Sequence, residues 1–169
     1  TDFSGNKEFE DSEAAEGVTG WLKKVEEKMG NGNVQAVFSA FSTGKSLREG
    51  SWMKMEKKFE PWLNLQKNQA LGVWVHGDGK GELLNFRIES PKHFSYGARG
   101  DHFVKIDFTG WKYFELVEIE SSEFSNYIWT SPISDDHLYV YDSYRNTVDF
   151  KNVDKIQLWY NNLPAGETV

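Results

Sequence analysis

The stretch Ala70–Ser90, ALGVWVHGDGKGELLNFRIES, decides the fold. Leu71, Val73 and Val75 alternate with Gly72, Trp74 and His76. After the turn, Leu84, Phe86 and Ile88 alternate with Leu83, Asn85, Arg87 and Glu89. A period of two is the signature of a half-buried strand, because successive side chains point to opposite faces. Between the two runs lies His76-Gly77-Asp78-Gly79-Lys80-Gly81. Its glycines supply the positive φ angles that a reversal needs. The expectation is two antiparallel neighbours, each with one face in a core and one free for chemistry.

Outward from this stretch the chain keeps the same character. Val34–Phe41 is β-rich. Ser51–Phe59 alternates Met53, Met55 and Phe59 against Trp52, Lys54, Glu56 and Lys58. Phe103–Phe108 alternates with Val104, Ile106 and Phe108 inward, and Trp111–Glu118 follows a Thr109-Gly110 turn. Tyr127–Thr130 and Leu138–Tyr141 read as short strands around a loop, and Ile156–Asn161 as the last strand. Phe9–Asp11 could open a first one. Pro91–Gly100 reads as a loop, since Pro91 has no amide for a ladder. The helical candidate is residues 18–29, where Val18, Trp21, Leu22, Val25 and Met29 fall near helical spacing and Gly30 supplies a stop. Closely spaced strands with hardly any helix indicate an all-β sandwich.

Composition narrows the function. The 169 residues suit one domain with a real core, and the Thr at position 1 suggests a mature piece of a longer protein. A net charge of −7, from 26 acidic and 19 Lys and Arg residues, argues against a nucleic-acid binder. No apolar run approaches membrane-spanning length. With no cysteine, disulfides, zinc-thiolate sites and thiol nucleophiles are excluded, while a secreted protein without bridges remains allowed. The informative quantity is the aromatic content, 15%, with 7 Trp, 7 Tyr and 12 Phe. A core of this size does not need seven indoles, so some rings must face a ligand or a second domain.

The strand LGVWVHGDG, its Gly-rich turn, the strand LLNFRIES and the later VKIDFTGWKYFELV resemble the galactose-binding-like jelly-roll domains, over about residues 34–163. Many of those are non-catalytic carbohydrate-binding modules attached to polysaccharide-degrading enzymes. The resemblance implies a β-sandwich jelly roll, secreted or at a cell surface, with a polysaccharide or oligosaccharide as partner and an attached catalytic domain in the same chain. It also implies a structural Ca²⁺, for which Glu10 and Asp11 of the first strand are the candidate oxygen ligands. One departure stands out. Such domains usually close with a further strand after a segment like IQLWYNN, and here only Leu163–Val169 follows. Either Thr168-Val169 begins that strand or it lies elsewhere in the order.

Sugar binding needs flat rings for the C–H faces and polar side chains for the hydroxyls. Strand alternation puts Trp52 with Lys54, Glu56 and Lys58, Arg87 opposite Phe86 and Ile88, Trp129 opposite Ile128, and Trp159 with Gln157 and Asn161. The loop KHFSYGARGDH, residues 92–102, adds Tyr96, Arg99 and His102, and is locally basic. As a rim it would suit a sugar carrying carboxylate or sulfate, which Arg binds bidentately. Tyr144 lies in a loop after a Tyr-rich strand. The candidate carbohydrate ligands are therefore Trp52, Arg87, Tyr96, Arg99, His102, Trp129 and Tyr144. For each ring the plain alternative is packing under a loop, and a one-residue phase error would exchange the faces.

Other motifs carry less. Arg99-Gly100-Asp101 spells an adhesion tripeptide, but three residues match by chance. Asp135-Asp136-His137 is better read as a turn than a cation site. The HGDGKG turn lacks the Ser or Thr and the helix of a phosphate loop. A glycosidase needs two carboxylates across a cleft, and no motif marks such a pair. No nucleophile elbow is present. The reading is a non-catalytic carbohydrate-binding module. The alternatives are a jelly-roll that braces a catalytic domain and a small polysaccharide lyase or glycoside hydrolase.

Overall fold

The computed structural model describes residues 9, 11–25, 35–67, 70–91, 98–117 and 148–169. They form nine strands: β1 (Asp11–Ala14), β2 (Val18–Val25), β3 (Gln35–Ser42), β4 (Trp52–Leu63), β5 (Ala70–Asp78), β6 (Glu82–Ser90), β7 (Ala98–Ile106), β8 (Thr109–Val117) and β9 (Val153–Asn161). One 3₁₀ turn, Arg48–Gly50, precedes β4. Five strands make one sheet in the order β1-β4-β9-β6-β7, and β2-β3 and β5-β8 form two antiparallel ribbons.

Both ribbons pack on the same side of the large sheet. Under β2-β3, Met53, Met55 and Tyr160 meet Val18, Ala40 and Leu163. Under β5-β8, Val104 and Ile106 meet Leu71, Val73 and Val75. Beyond these, Ile88, Val153 and Ile156 enclose Val148. Each such aliphatic side chain contributes about 1.5–3 kcal/mol when sealed from water. The result is a β-sandwich, as the spacing of strands predicts.

Three expectations are corrected. First, the Gly-rich turn does not join a hairpin. β5 pairs with β8, whereas β6 pairs with β7 and β9. The turn carries the chain from one layer to the other. Its chemistry is as expected: Gly79 and Gly81 have φ of 81° and 84°, and the Asp78 carboxylate accepts the Lys80 N–H at 3.1 Å. Second, residues 18–25 are strand β2, not helix; residues 26–29 lie outside the described residues. Gly20 suits the close approach of this strand to its neighbours. It lies against Met53 so closely that an added Cβ would stand 2.4 Å from Sδ and 2.3 Å from the Ser39 carbonyl oxygen. Third, β7 begins at Ala98, so Arg99 to His102 belong to a strand rather than a rim loop.

The closing segment is on β3. Val169 and Ala40 exchange both backbone hydrogen bonds at 2.9 Å, and Thr168 bridges Phe41. Thr168-Val169 thus lies in bridge pairing against β3, without forming a further strand. The expected strands at 127–130 and 138–141 lie outside the described residues.

Candidate functional site

Register assembles the site. On the sheet face turned away from both ribbons, Trp52 pairs with Asn161, Lys54 with Trp159, and Glu56 with Gln157. Across β9, Asn85 lies beside Trp159 and Arg87 beside Gln157. Across β6, Phe103 lies beside Asn85, Asp101 beside Arg87, and Arg99 beside Glu89. Directly opposed residues in an antiparallel ladder share a face, so these side chains form one grid. It is rich in polar groups that are nonetheless buried, Arg87 and Asp101 among them.

Each polar group in the centre is held by a neighbour. Arg87 donates Nε to Asp101 Oδ1 at 2.7 Å and Nη2 to Oδ2 at 3.2 Å. Asn85 Nδ2 donates to the same Oδ1 at 2.7 Å, while its Oδ1 accepts the His102 N–H at 3.0 Å. Gln157 Nε2 donates to Glu56 Oε2 at 2.6 Å, and Trp159 Nε1 donates to Gln157 Oε1 at 2.9 Å. Glu89 holds both Arg99, at 3.2 Å, and Lys155, at 3.3 Å. Burial is tolerable because charge meets charge through directed hydrogen bonds.

The rings are fixed in the same way. Trp52 and Trp159 are half-buried, with centroids 5.1 Å apart and planes inclined by 39°. They pack with Phe103 around the buried Leu83. The Lys54 ammonium stands 5.4 Å from the Trp159 ring centroid and the Arg87 guanidinium carbon 4.9 Å from it. Both are within cation–π range. Two indoles, two side-chain amides and a set of ion pairs are thus prearranged on a rigid sheet. The half-buried rings can stack on a sugar, and the buried amides and ion pairs, bonded to one another, brace those rings.

Of the sequence candidates, Trp52, Arg87 and Arg99 share this face. His102 does not. It points to the inner side, 4% exposed, with Nδ1 3.0 Å from the Phe86 carbonyl oxygen. Strand parity separates it from Arg99 and Asp101. Tyr96, Trp129 and Tyr144 lie outside the described residues, as does Glu10. The Asp11 carboxylate is bound by the Lys58 ammonium at 2.7 Å, which holds it below the usual carboxylate range. Among the described residues no cluster of three or more His, Asp or Glu side chains could hold a metal. The adhesion tripeptide lies within β7, with Asp101 fully buried against Arg87, so it is not displayed.

Sequence reasoning grouped Trp159 with Gln157 and Asn161 but did not select it, and it passed over Asn85 and Glu56. For Glu56 and Asn85 the signal is in the sequence, since they share the strand phase of Trp52 and Arg87; Trp159 joins them only through the pairing of β9.

No protein-family model matches the chain, and no curated protein matches it. Solved structures do. A family 11 carbohydrate-binding module from Clostridium thermocellum, in complex with a β-1,3-1,4-mixed-linked tetrasaccharide, aligns at 18% identity and TM-score 0.56, covering 99% of this chain and 88% of that one. The family 11 module of a cellulosomal cellulase from the same organism aligns at 18% identity and TM-score 0.59, covering 99% and 86%. An exo-β-agarase aligns at 12% identity and TM-score 0.52, covering 99% of this chain and 23% of the enzyme. The chain therefore has the galactose-binding-like β-sandwich jelly-roll fold that those carbohydrate-binding modules have.

Proposed function

We propose that this protein is a non-catalytic carbohydrate-binding module whose polar sheet face binds a neutral polysaccharide. The observation that carries the reading is the Trp52–Trp159 pair, 5.1 Å between centroids, set among hydrogen-bonded amides and ion pairs on one rigid face. The fold likeness to modules of family 11, one of them holding a mixed-linked tetrasaccharide, supports it.

The ion pairs favour a neutral ligand over an anionic one. Arg87 is matched by Asp101, Arg99 and Lys155 by Glu89, and Lys54 by Glu13. A sulfate or uronate would have to displace a carboxylate already in place. The same pairing argues for a passive role. Glu56, Glu89 and Asp101 each accept hydrogen bonds or ion pairs from neighbours, whereas glycosidic hydrolysis needs a carboxylic acid with a proton to give. Secretion and an attached polysaccharide-active domain belong to the same proposal. In the agarase a fold of this kind makes up about a quarter of the chain. Targeting would then raise the local concentration of the neighbouring enzyme on its substrate.

Affinity electrophoresis tests the reading. The protein is run through native gels containing mixed-linkage β-glucan, agarose or an anionic polysaccharide, with a reducing-end assay in parallel. Retardation in a neutral gel without release of reducing ends is expected. Retardation only in the anionic gel, or release of reducing ends, would overturn it.

A further inference from the structure

The outer face of the β5-β8 ribbon carries a second set of rings. Trp74, Trp111 and Tyr113 are 51%, 47% and 46% exposed. Trp74 lies directly across from Tyr113, and His76 across from Trp111. The ring centroids of these pairs are 5.3 Å and 5.2 Å apart. The inner phase of the ribbon, Leu71, Val73 and Val75, packs on Val104 and Ile106 of β7. The polar face lies on the other side of β7, so the two aromatic surfaces stand back to back.

We propose that this outer face is a second glycan-binding surface, for a neutral polysaccharide chain. It shares with the reading above only the class of ligand; its residues and its face are different.

Three features commit it to a sugar rather than a protein. First, the large exposed apolar side chains described on this face, Trp74, Trp111 and Tyr113, are all aromatic, while Leu71, Val73 and Val75 face inward. A protein-binding patch would add Arg or Met to its rings, and the outer phase of the ribbon holds neither. Second, Gly72 lets Tyr113 lie flat. A Cβ there would meet Tyr113 Oη at 2.4 Å and ring carbons at 3.1 and 3.2 Å, so the phenol rests across the bare glycine backbone. A flat ring offers its π face, which suits the C–H face of a pyranose. Third, the charge pattern fits an uncharged polyol. Apart from His76, the charged groups of the phase are Asp78, opposite Thr109, and Glu115, opposite Gly72, at the two ends of the ladder. Asp78 is engaged by Lys80, which leaves Glu115 to accept hydroxyl hydrogen bonds, and carboxylates at both ends disfavour an anionic ligand. Two such faces on opposite sides of one sandwich allow one molecule to bridge two polysaccharide chains, and both engaged on an insoluble surface multiply retention.

Native gels containing mixed-linkage β-1,3-1,4-glucan or agarose separate the two surfaces. The intact protein is compared with Trp52→Ala, with Trp74→Thr/Trp111→Thr, which keeps strand-forming residues, and with Gly72→Ala. Melting curves confirm folding. The proposal expects the Trp74/Trp111 variant to lose at least about half of the retardation while Trp52→Ala keeps a measurable part of it, and Gly72→Ala to weaken retardation by lifting Tyr113. If Trp52→Ala abolishes retardation and the Trp74/Trp111 variant migrates like the intact protein, the second surface is overturned and the first stands. If only the Trp74/Trp111 variant loses retardation, the first reading fails and this one stands. No retardation of the intact protein in either gel overturns both. A concentration-dependent dimer in sedimentation, lost in the Trp74/Trp111 variant with gel mobility unchanged, would assign the face to a second copy and overturn the proposal.

Discussion

Arg87 and Asp101 face each other across the β6-β7 ladder through two hydrogen bonds, 2.7 and 3.2 Å long, with both side chains buried. Removing one partner strands the other charge away from water. Arg87→Ala should therefore cost about 3–5 kcal/mol of unfolding free energy. Urea denaturation checks this. A loss below about 1 kcal/mol, the range of exposed pairs, would mean that the pair is solvated in solution.

Trp52 is half-buried, lies against Trp159 and packs on Leu83, with part of its ring left on the proposed glycan face. Trp52→Ala should weaken glycan binding about tenfold, near 1.4 kcal/mol. Isothermal titration gives the ratio, and unchanged affinity would remove Trp52 from the site.

Burial raises the Glu82 carboxyl from its ordinary value of 4.5 to about 7, and the Asp78 carboxylate adds to the shift. The folded state thus holds this proton more tightly than the unfolded chain. The contribution to stability is complete below pH about 4.5 and declines as pH rises to about 7. Glu82→Gln should flatten that decline. Melting temperatures of the two proteins measured between pH 4.5 and 8 test it, and parallel curves would contradict the assignment.

Gly20 has no room for a side chain, since a Cβ would meet Met53 Sδ at 2.4 Å. Gly20→Val should lower stability by about 1–3 kcal/mol through overpacking, despite the better strand propensity of Val. A stabilised variant in thermal melts would show that β2 can lift from β4 at no cost.

Alternation made the site legible where each strand has one dominant apolar phase. Leu71, Val73 and Val75 are inward and Trp74 and His76 outward, as the sequence reads. The phase of β4 and of β6 turns Trp52 and Arg87 away from the core, and that they share one face follows only from the pairing of both strands with β9. The turn at Asp78–Gly81 was legible as a turn but not as a crossing between layers, because the same positive φ angles serve both. The false helix at 18–29 arose because residues four apart share a face in either period. Val18 and Leu22 both pack inward, and Gly20, which fills the same strand phase between them, carries no apolar signal. Gly100 hid the start of β7 in the same way: its bare Cα sits close to Val148, where a Cβ would be 3.2 Å from Cγ2. Trp159 and Gln157 acquire their meaning only through pairing with β4 and β6, strands far away along the chain.

The central claim, that the polar sheet face is a sugar platform, is tested most directly at the Trp159 indole. In a ¹H–¹⁵N spectrum its Nε1–H reports the bond to Gln157 and the packing of Trp52. Titration with a β-1,3-1,4-mixed-linked tetrasaccharide should shift that signal progressively and saturably, and Trp52→Ala should require a higher concentration for the same shift. Saturable binding detected by calorimetry with the Trp159 signal unmoved would contradict the account.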